Sequence, residues 1–196
     1  LRALLDRQTG QIDGFILPGH VSVIIGEKPY KFLPDEYKIP SCIAGFDGVE
    51  ILSAIVNILE QRKSGHFEVG NTYHSVVMKE GNPVAVRMMN EIYDVCDDAW
   101  RGIGIIPSSG LQLNDDYAFL DAEKVLPIQL EKPSLDPKGC QCGSVLQGLI
   151  KPNECPLFGK ACTPDHAVGA CMVSVEGSCA AWYKYGFSSG GLAWED

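Results

Sequence analysis

"SCIAGFDGVEILSAIVNILEQRK", residues 41–63, decides the fold. The run "SCIAGF" at 41–46 fits a short strand. Asp47 follows as a helix cap, with Glu50 three residues on in the spacing of a capping box. The helix it opens, roughly 48–63, carries Ile51, Ile55 and Leu59 on one stripe with Leu52 and Val56 beside it. Strand, turn and helix in this order predict an α/β unit built on a parallel sheet.

Upstream, "IDGFIL" at 12–17 reads as a short buried strand closed by the turn signal Pro18-Gly19. "VSVIIG" follows at once, and a loop is expected around "EKPYKFLPDEYKIP". Downstream, Asn82 and Pro83 open a helix expected to run to about Cys96, with Ala85, Met88, Met89, Ile92 and Cys96 on its inward face. Cys96 and Cys42 therefore read as core packing, since a free cysteine behaves as a small buried hydrophobe. "RGIGIIPSSGL" at 101–111 combines a short strand with a Gly/Ser loop, and the proline-bearing "LEKPSLDPKG" at 130–139 marks a boundary. The expected division is an α/β Rossmann-like region over 1–130, a cysteine-rich segment over 131–186 and a tail over 187–196.

The chain has 196 residues, 45% of them hydrophobic, which is enough to build a core. No apolar run approaches the roughly 18 residues needed to span a bilayer, so no membrane embedding is expected. Net charge is −9, and no basic stripe offers itself to phosphates, which argues against a nucleic-acid partner. Between 140 and 186, Lys151, Lys160 and Lys184 balance Glu154, Asp165 and Glu176. Such a neutral frame suits a centre that brings its own negative charge. The first residues, "LRALLDRQTG", read like the end of a helix, so an upstream portion is expected.

Six of the eight cysteines fall between Cys140 and Cys179. They form a C-x-C at Cys140 and Cys142, a Cys-Pro step at Cys155, then Cys162, Cys171 and Cys179. Three chemistries compete for them. Disulfide staples suit small secreted domains, whereas this segment follows a cysteine-poor α/β body. Zinc modules usually show paired C-x₂₋₄-C knuckles, and none occurs here. An iron–sulfur cluster takes four thiolates, and a Cys-Pro step recurs in ferredoxin-type ligand runs. Two thiols would then be left to form a dithiol/disulfide pair. Spacing does not say which four bind.

Other candidates are weaker. His20 follows the first strand at what would be its carboxyl end, the edge where open α/β sheets bind ligands. His166 lies between two of the cysteines, and His66 and His74 lie in polar surroundings that suit exposure. "GIGIIPSSG" lacks the Gly-Lys-Ser/Thr ending of a phosphate loop. Asp97-Asp98 and Asp115-Asp116 read as solvated loop charges.

"CGSVLQGLIKPNECPLFGKACTPDHAVGACMVSVEGSCAAWYKYG" at 142–186 resembles the iron–sulfur segment of the hydrogenase maturation factor HypD family. "GFILPGHVSVIIG" and "WRGIGIIPSSGL" resemble that family's central region. The resemblance implies a scaffold on which the Fe(CN)₂CO unit of [NiFe]-hydrogenase is assembled, with a small HypC-type chaperone and a cyanide-supplying HypE-type factor as partners. It implies two Rossmann-like lobes followed by a segment similar to ferredoxin–thioredoxin reductase, in which a cluster sits against a redox-active disulfide. Carried over, Cys140, Cys155, Cys162 and Cys179 are expected to ligate a [4Fe-4S] cluster, and Cys142 and Cys171 to form the exchanging pair. "PGHVS", with His20, is expected to line the cleft between lobes, and a reducing cytoplasmic location follows from the same likeness. The family's Cys-Gly-Gly-His and Gly-Pro-Gly-Cys-Pro-Val-Cys motifs do not occur in this sequence. A cluster-dependent thiol–disulfide reductase and a structural zinc module are the alternative expectations.

Overall fold

The computed structural model describes residues 1–6, 12–100, 102–126 and 137–186. In chain order the first elements are α1 (Arg2–Asp6), β1 (Phe15–Pro18), α2 (Gly19–Ile25), α3 (Phe32–Glu36) and β2 (Ser41–Ala44). Then come α4 (Gly48–Ser64), β3 (Val69–Asn71), α5 (Pro83–Ile92), β4 (Tyr93–Trp100), β5 (Gly104–Leu113) and α6 (Ala122–Val125). The last are α7 (Cys142–Leu146), α8 (Ala170–Val173) and α9 (Ser178–Tyr185). The chain divides into two compact units, one of residues 12–94 and 112–121, the other of 1–11, 95–111 and 122–196. Most of the proline-bearing stretch 130–139 and all of the tail 187–196 lie outside the described residues.

The first unit is an α/β body, and it leaves out residues 95–111, which the expected 1–130 region included. Its sheet is parallel, in the order β1-β2-β3, with Phe15 opposite Ser41 and Ser41 opposite Val69. All four residues of the central strand β2 are buried, as a parallel strand covered on both faces requires. Asp47 caps α4 by accepting from the Val49 N–H at 2.8 Å, and Gly65 at φ 70° ends it in the left-handed conformation. Glu50 does not complete a capping box, because its carboxylate lies where a Cβ on Gly45 would sit.

The face α4 turns to the sheet differs from the expected stripe. Ala54 and Gln61 are buried and Ile58 packs on Cys42, Ala44 and Ala54, while Leu52 and Leu59 are 64% and 59% exposed. Gln61 explains the rotation. Its Nε2 donates to the Ser41 carbonyl at 3.1 Å and to Asn57 Oδ1 at 2.7 Å, and its Oε1 accepts from the Glu68 N–H at 2.9 Å. Backbone groups at the strand starts need partners, and that need outweighs the apolar stripe.

Two further expectations are corrected. "VSVIIG" forms α2, fastened by Ser22 Oγ donating to the Pro18 carbonyl at 2.7 Å, and the expected loop holds a 3-10 turn at Lys28–Tyr30 and the helix α3. There Leu33 and Tyr30 supply buried core. Asn82 does cap α5, accepting from the Val84 and Ala85 N–H groups. The helix stops at Ile92, however, because Tyr93 is extended at φ −116°, and none of its residues is buried. Cys96 lies half-buried on β4 instead of facing inward from a helix. Strand β4 pairs with β5, and Asp97 Oδ1 accepts from Ser108 N–H at 2.8 Å where Ser108 takes φ 53°. Among the described residues no helix is long and apolar enough to cross a membrane.

Candidate metal centre

Each of the six late cysteines is placed by a tight turn or a short helix. Cys140 closes a turn through its N–H to the Pro137 carbonyl at 3.0 Å, following Gly139 at φ 81°. Cys142 begins α7. Cys155 follows the 3-10 turn Pro152–Glu154, which Glu154 fixes by accepting from the Lys151 N–H at 2.6 Å. Cys162 returns to Leu157, its N–H donating to the Leu157 carbonyl at 2.9 Å across the turn at Gly159. Cys171 and Cys179 sit on α8 and α9.

These turns gather the sulfur in one place. Cys142, Cys162, Cys171 and Cys179 are buried together with Val145, Met172 and Ala180, and the half-buried Cys140 packs against them. Cys155 is buried as well, close enough to Cys140 and Cys179 to help disfavour their thiolates. Glycine makes the crowding possible. A Cβ on Gly169 would lie 2.6 Å from Cys140 Sγ and 3.5 Å from Cys142 Cβ. Beside Cys140 and Cys142, a cavity of about 190 Å³ lined by Gly102, Gly143, Ser144 and Gln147 opens toward solvent.

Three thiols form a hydrogen-bonded line. Cys142 donates to Cys171, and Cys171 donates to Cys179 at an Sγ–Sγ distance of 3.0 Å. Burial, then the bond to Cys179, pushes the Cys171 thiol up to about 11, against the pull of the Cys142 bond. Burial also raises Cys179 and Cys140, and at Cys140 an N–H from Cys142 partly offsets the repulsion of neighbouring thiolates. No cysteine in the chain is disulfide-bonded. At Cys140, Cys171 and Cys179 a thiolate is disfavoured twice, by lost hydration and by its neighbours, unless a cation neutralises it.

The chemistry of this donor set fits a polynuclear iron–sulfur group: sulfur ligands, apolar walls and a glycine where a side chain would intrude. Among the described residues, no three His, Cys, Asp or Glu side chains are disposed to hold one metal ion.

His166 is exposed in a tight turn with Thr163. His20 is exposed at the head of α2, at the carboxyl end of β1, with its ring 5.4 Å from that of Phe46. Tyr73 completes this edge and was not foreseen. A Cβ on Gly19 or Gly45 would come within 2.8 or 3.1 Å of its ring, so two glycines directly after strands were the available signal. Gly169 was likewise unforeseen; only a glycine among cysteines hinted at it.

Comparison with known proteins follows the same lines. A family model described as "HypD: Hydrogenase formation hypA family" matches residues 1–186. The chain is 42% identical over 186 residues to "Hydrogenase maturation factor HypD" of Escherichia coli K12, covering 94% of this chain and 50% of that protein. It is 41% identical over 182 residues to the protein of the same name from Cupriavidus necator, covering 92% and 48%. It is 44% identical over 174 residues to "Putative hydrogenase expression/formation protein MJ0993" of Methanocaldococcus jannaschii, covering 89% and 48%. The chain thus spans about half the length of the curated relatives it matches.

Proposed function

We propose that this chain, which belongs to the HypD family of hydrogenase-formation proteins, acts in hydrogenase maturation as a redox-active scaffold holding a [4Fe-4S] cluster. The observation that carries this reading is the convergence of five cysteines, Cys140, Cys142, Cys162, Cys171 and Cys179, into one apolar core, with the sixth, Cys155, also buried. Cys140, Cys155, Cys162 and Cys179 would hold the cluster. When bound, it supplies one-electron chemistry at low potential. Cys142 and Cys171 would form the exchanging pair, and the hydrogen bond between them supports that role.

The chain's own residues set the conditions. Met172, Val145 and Ala180 exclude water around the sulfur, which strengthens every charge interaction there. Gly169 keeps the space beside Cys140 clear. The cargo of the full pathway would be the Fe(CN)₂CO iron, with a HypC-type chaperone and a HypE-type cyanide donor as partners in a reducing cytoplasm. His20, beside Phe46 and Tyr73 at the sheet edge, would line the cleft that meets this cargo.

Anaerobic reconstitution tests the metal assignment. The protein should take up iron and acid-labile sulfide and turn brown, and Cys155→Ala should lose both. Cys171→Ala should keep the colour and lose the exchanging pair. Equal loss in the two variants, or a zinc-loaded protein free of sulfide, would overturn the assignment. For the biological role, residues 1–186 are exchanged into the matching half of the E. coli relative in a strain lacking that factor. Hydrogenase activity should return; a folded, cluster-loaded chimera without activity would contradict the role.

A further inference from the structure

We propose that Cys171 is a branch-point thiol: it closes a disulfide with Cys179 in a chain empty of metal, and turns to Cys142 once Cys179 holds iron. The inference rests on the assignment of Cys179 as a cluster ligand. Its geometric basis is independent of that assignment.

Cys171 Sγ lies 3.0 Å from Cys179 Sγ, so about 1 Å of travel separates contact from a covalent bond of about 2.05 Å. The same sulfur accepts a hydrogen bond from Cys142. One thiol thus has two partners within reach, and it can bond only one of them at a time. The approach to Cys179 is built by Gly177. Gly177 N–H bonds the Ser174 carbonyl at 2.9 Å, folding the chain back between α8 and α9. A Cβ on Gly177 would overlap the Cys171 carbonyl oxygen and lie 3.1 Å from the Cys171 Cα. The absence of a side chain there lets the chain pass directly over Cys171 and delivers Cys179 two residues later.

The step needs an oxidant, and a low-molecular-weight disulfide such as glutathione disulfide supplies it. One protein thiolate attacks the glutathione disulfide, breaking its S–S bond and releasing one glutathione. The second protein thiolate then displaces the other glutathione, forming Cys171–Cys179. Two protein thiols are oxidised, one disulfide is reduced to two thiols, and two protons pass from the protein to the glutathione sulfurs. The closed pair removes Cys179 from the ligand set and leaves Cys142 without its exchange partner. Exchange through the Cys142–Cys171 pair is then silent in an empty chain until a dithiol reopens Cys171–Cys179.

The test uses the metal-free protein, freed of reductant under argon and treated with glutathione disulfide. Free thiols are blocked, the chain is cut at Glu176 by a glutamate-specific protease without reduction, and fragments are mapped by mass spectrometry. The expected major crosslink joins Cys171 to Cys179, persists in Cys142→Ala, and gives way to Cys142–Cys171 in Cys179→Ala. Gly177→Ala should lose the Cys171–Cys179 crosslink and keep Cys142–Cys171. A dominant Cys142–Cys171 crosslink in the unaltered metal-free chain would overturn the proposal. If that chain shows the expected crosslink but binds neither iron nor sulfide after a dithiol reopens it, the Cys171–Cys179 closure stands, while the cluster assignment and the turn to Cys142 fall with it.

Discussion

Cys42 occupies the middle of β2 with none of its surface exposed, packed on Ala44, Ala54 and Ile58. Burial raises its thiol, with hydrogen bonds involving Thr72 opposing in part. A raised thiol keeps its proton in the folded chain while the unfolded chain begins to ionise near pH 8.5. Its contribution to stability is therefore whole below that pH and is lost as pH climbs through the folded value. Urea unfolding from pH 7 to 10 should show a falling midpoint, less steep in Cys42→Ala; parallel curves would deny Cys42 any part. Cys42→Ser should cost about 1–3 kcal/mol at pH 7, because a hydroxyl prizes hydration more than a thiol does and the strand offers it little. Core packing was readable here from one apolar residue in one strand. The same inference failed at Cys96, since the extended Tyr93 moves that residue from a helix to an exposed ribbon.

Helix α4 separates what a sequence states from what it leaves open. Its ends were legible because capping is local: Asp47 reaches the second N–H, and Gly65 takes a conformation that other residues resist. Its buried face was not legible. Val49, Ile51, Leu52, Ile55, Val56, Ile58 and Leu59 surround most of the helix, so a 3.6-residue period selects no single side. The sheet makes the choice through a polar residue, Gln61, which occupies two strand-start backbone groups. Gln61→Ala should cost about 2 kcal/mol, whereas Leu59→Ala on the open side should stay within about 0.5 kcal/mol. Equal losses measured by denaturant titration would place the contact face on the apolar stripe after all. In the cysteine segment, periodicity was silent for another reason. Helices of four to eight residues complete too few turns to show a pattern, so residue count and chemistry were the readable signals.

At the scale of the whole molecule the two units rest on different kinds of core. The sheet unit buries Leu17, Leu33, Ile43, Ala54 and Val77, a conventional apolar interior around β1, β2 and β3. In the other unit, among the described residues, the buried hydrophobic side chains besides cysteine are Val145, Met172 and Ala180. So little carbon surface offsets the conformational entropy of a segment built from turns and short helices poorly. Where sulfur replaces carbon in a small core, bound metal contributes folding energy directly, because the unfolded chain holds no preformed site. Removing iron should therefore loosen the two units unequally. Hydrogen exchange on the reconstituted protein, followed before and after anaerobic chelation, should show protection lost across residues 140–185 and kept across 41–64. A uniform change in both units would mean that they unfold as one, and no change would mean that the thiol-lined core stands without metal. Re-adding iron and sulfide should restore the lost protection, which separates a metal effect from irreversible damage.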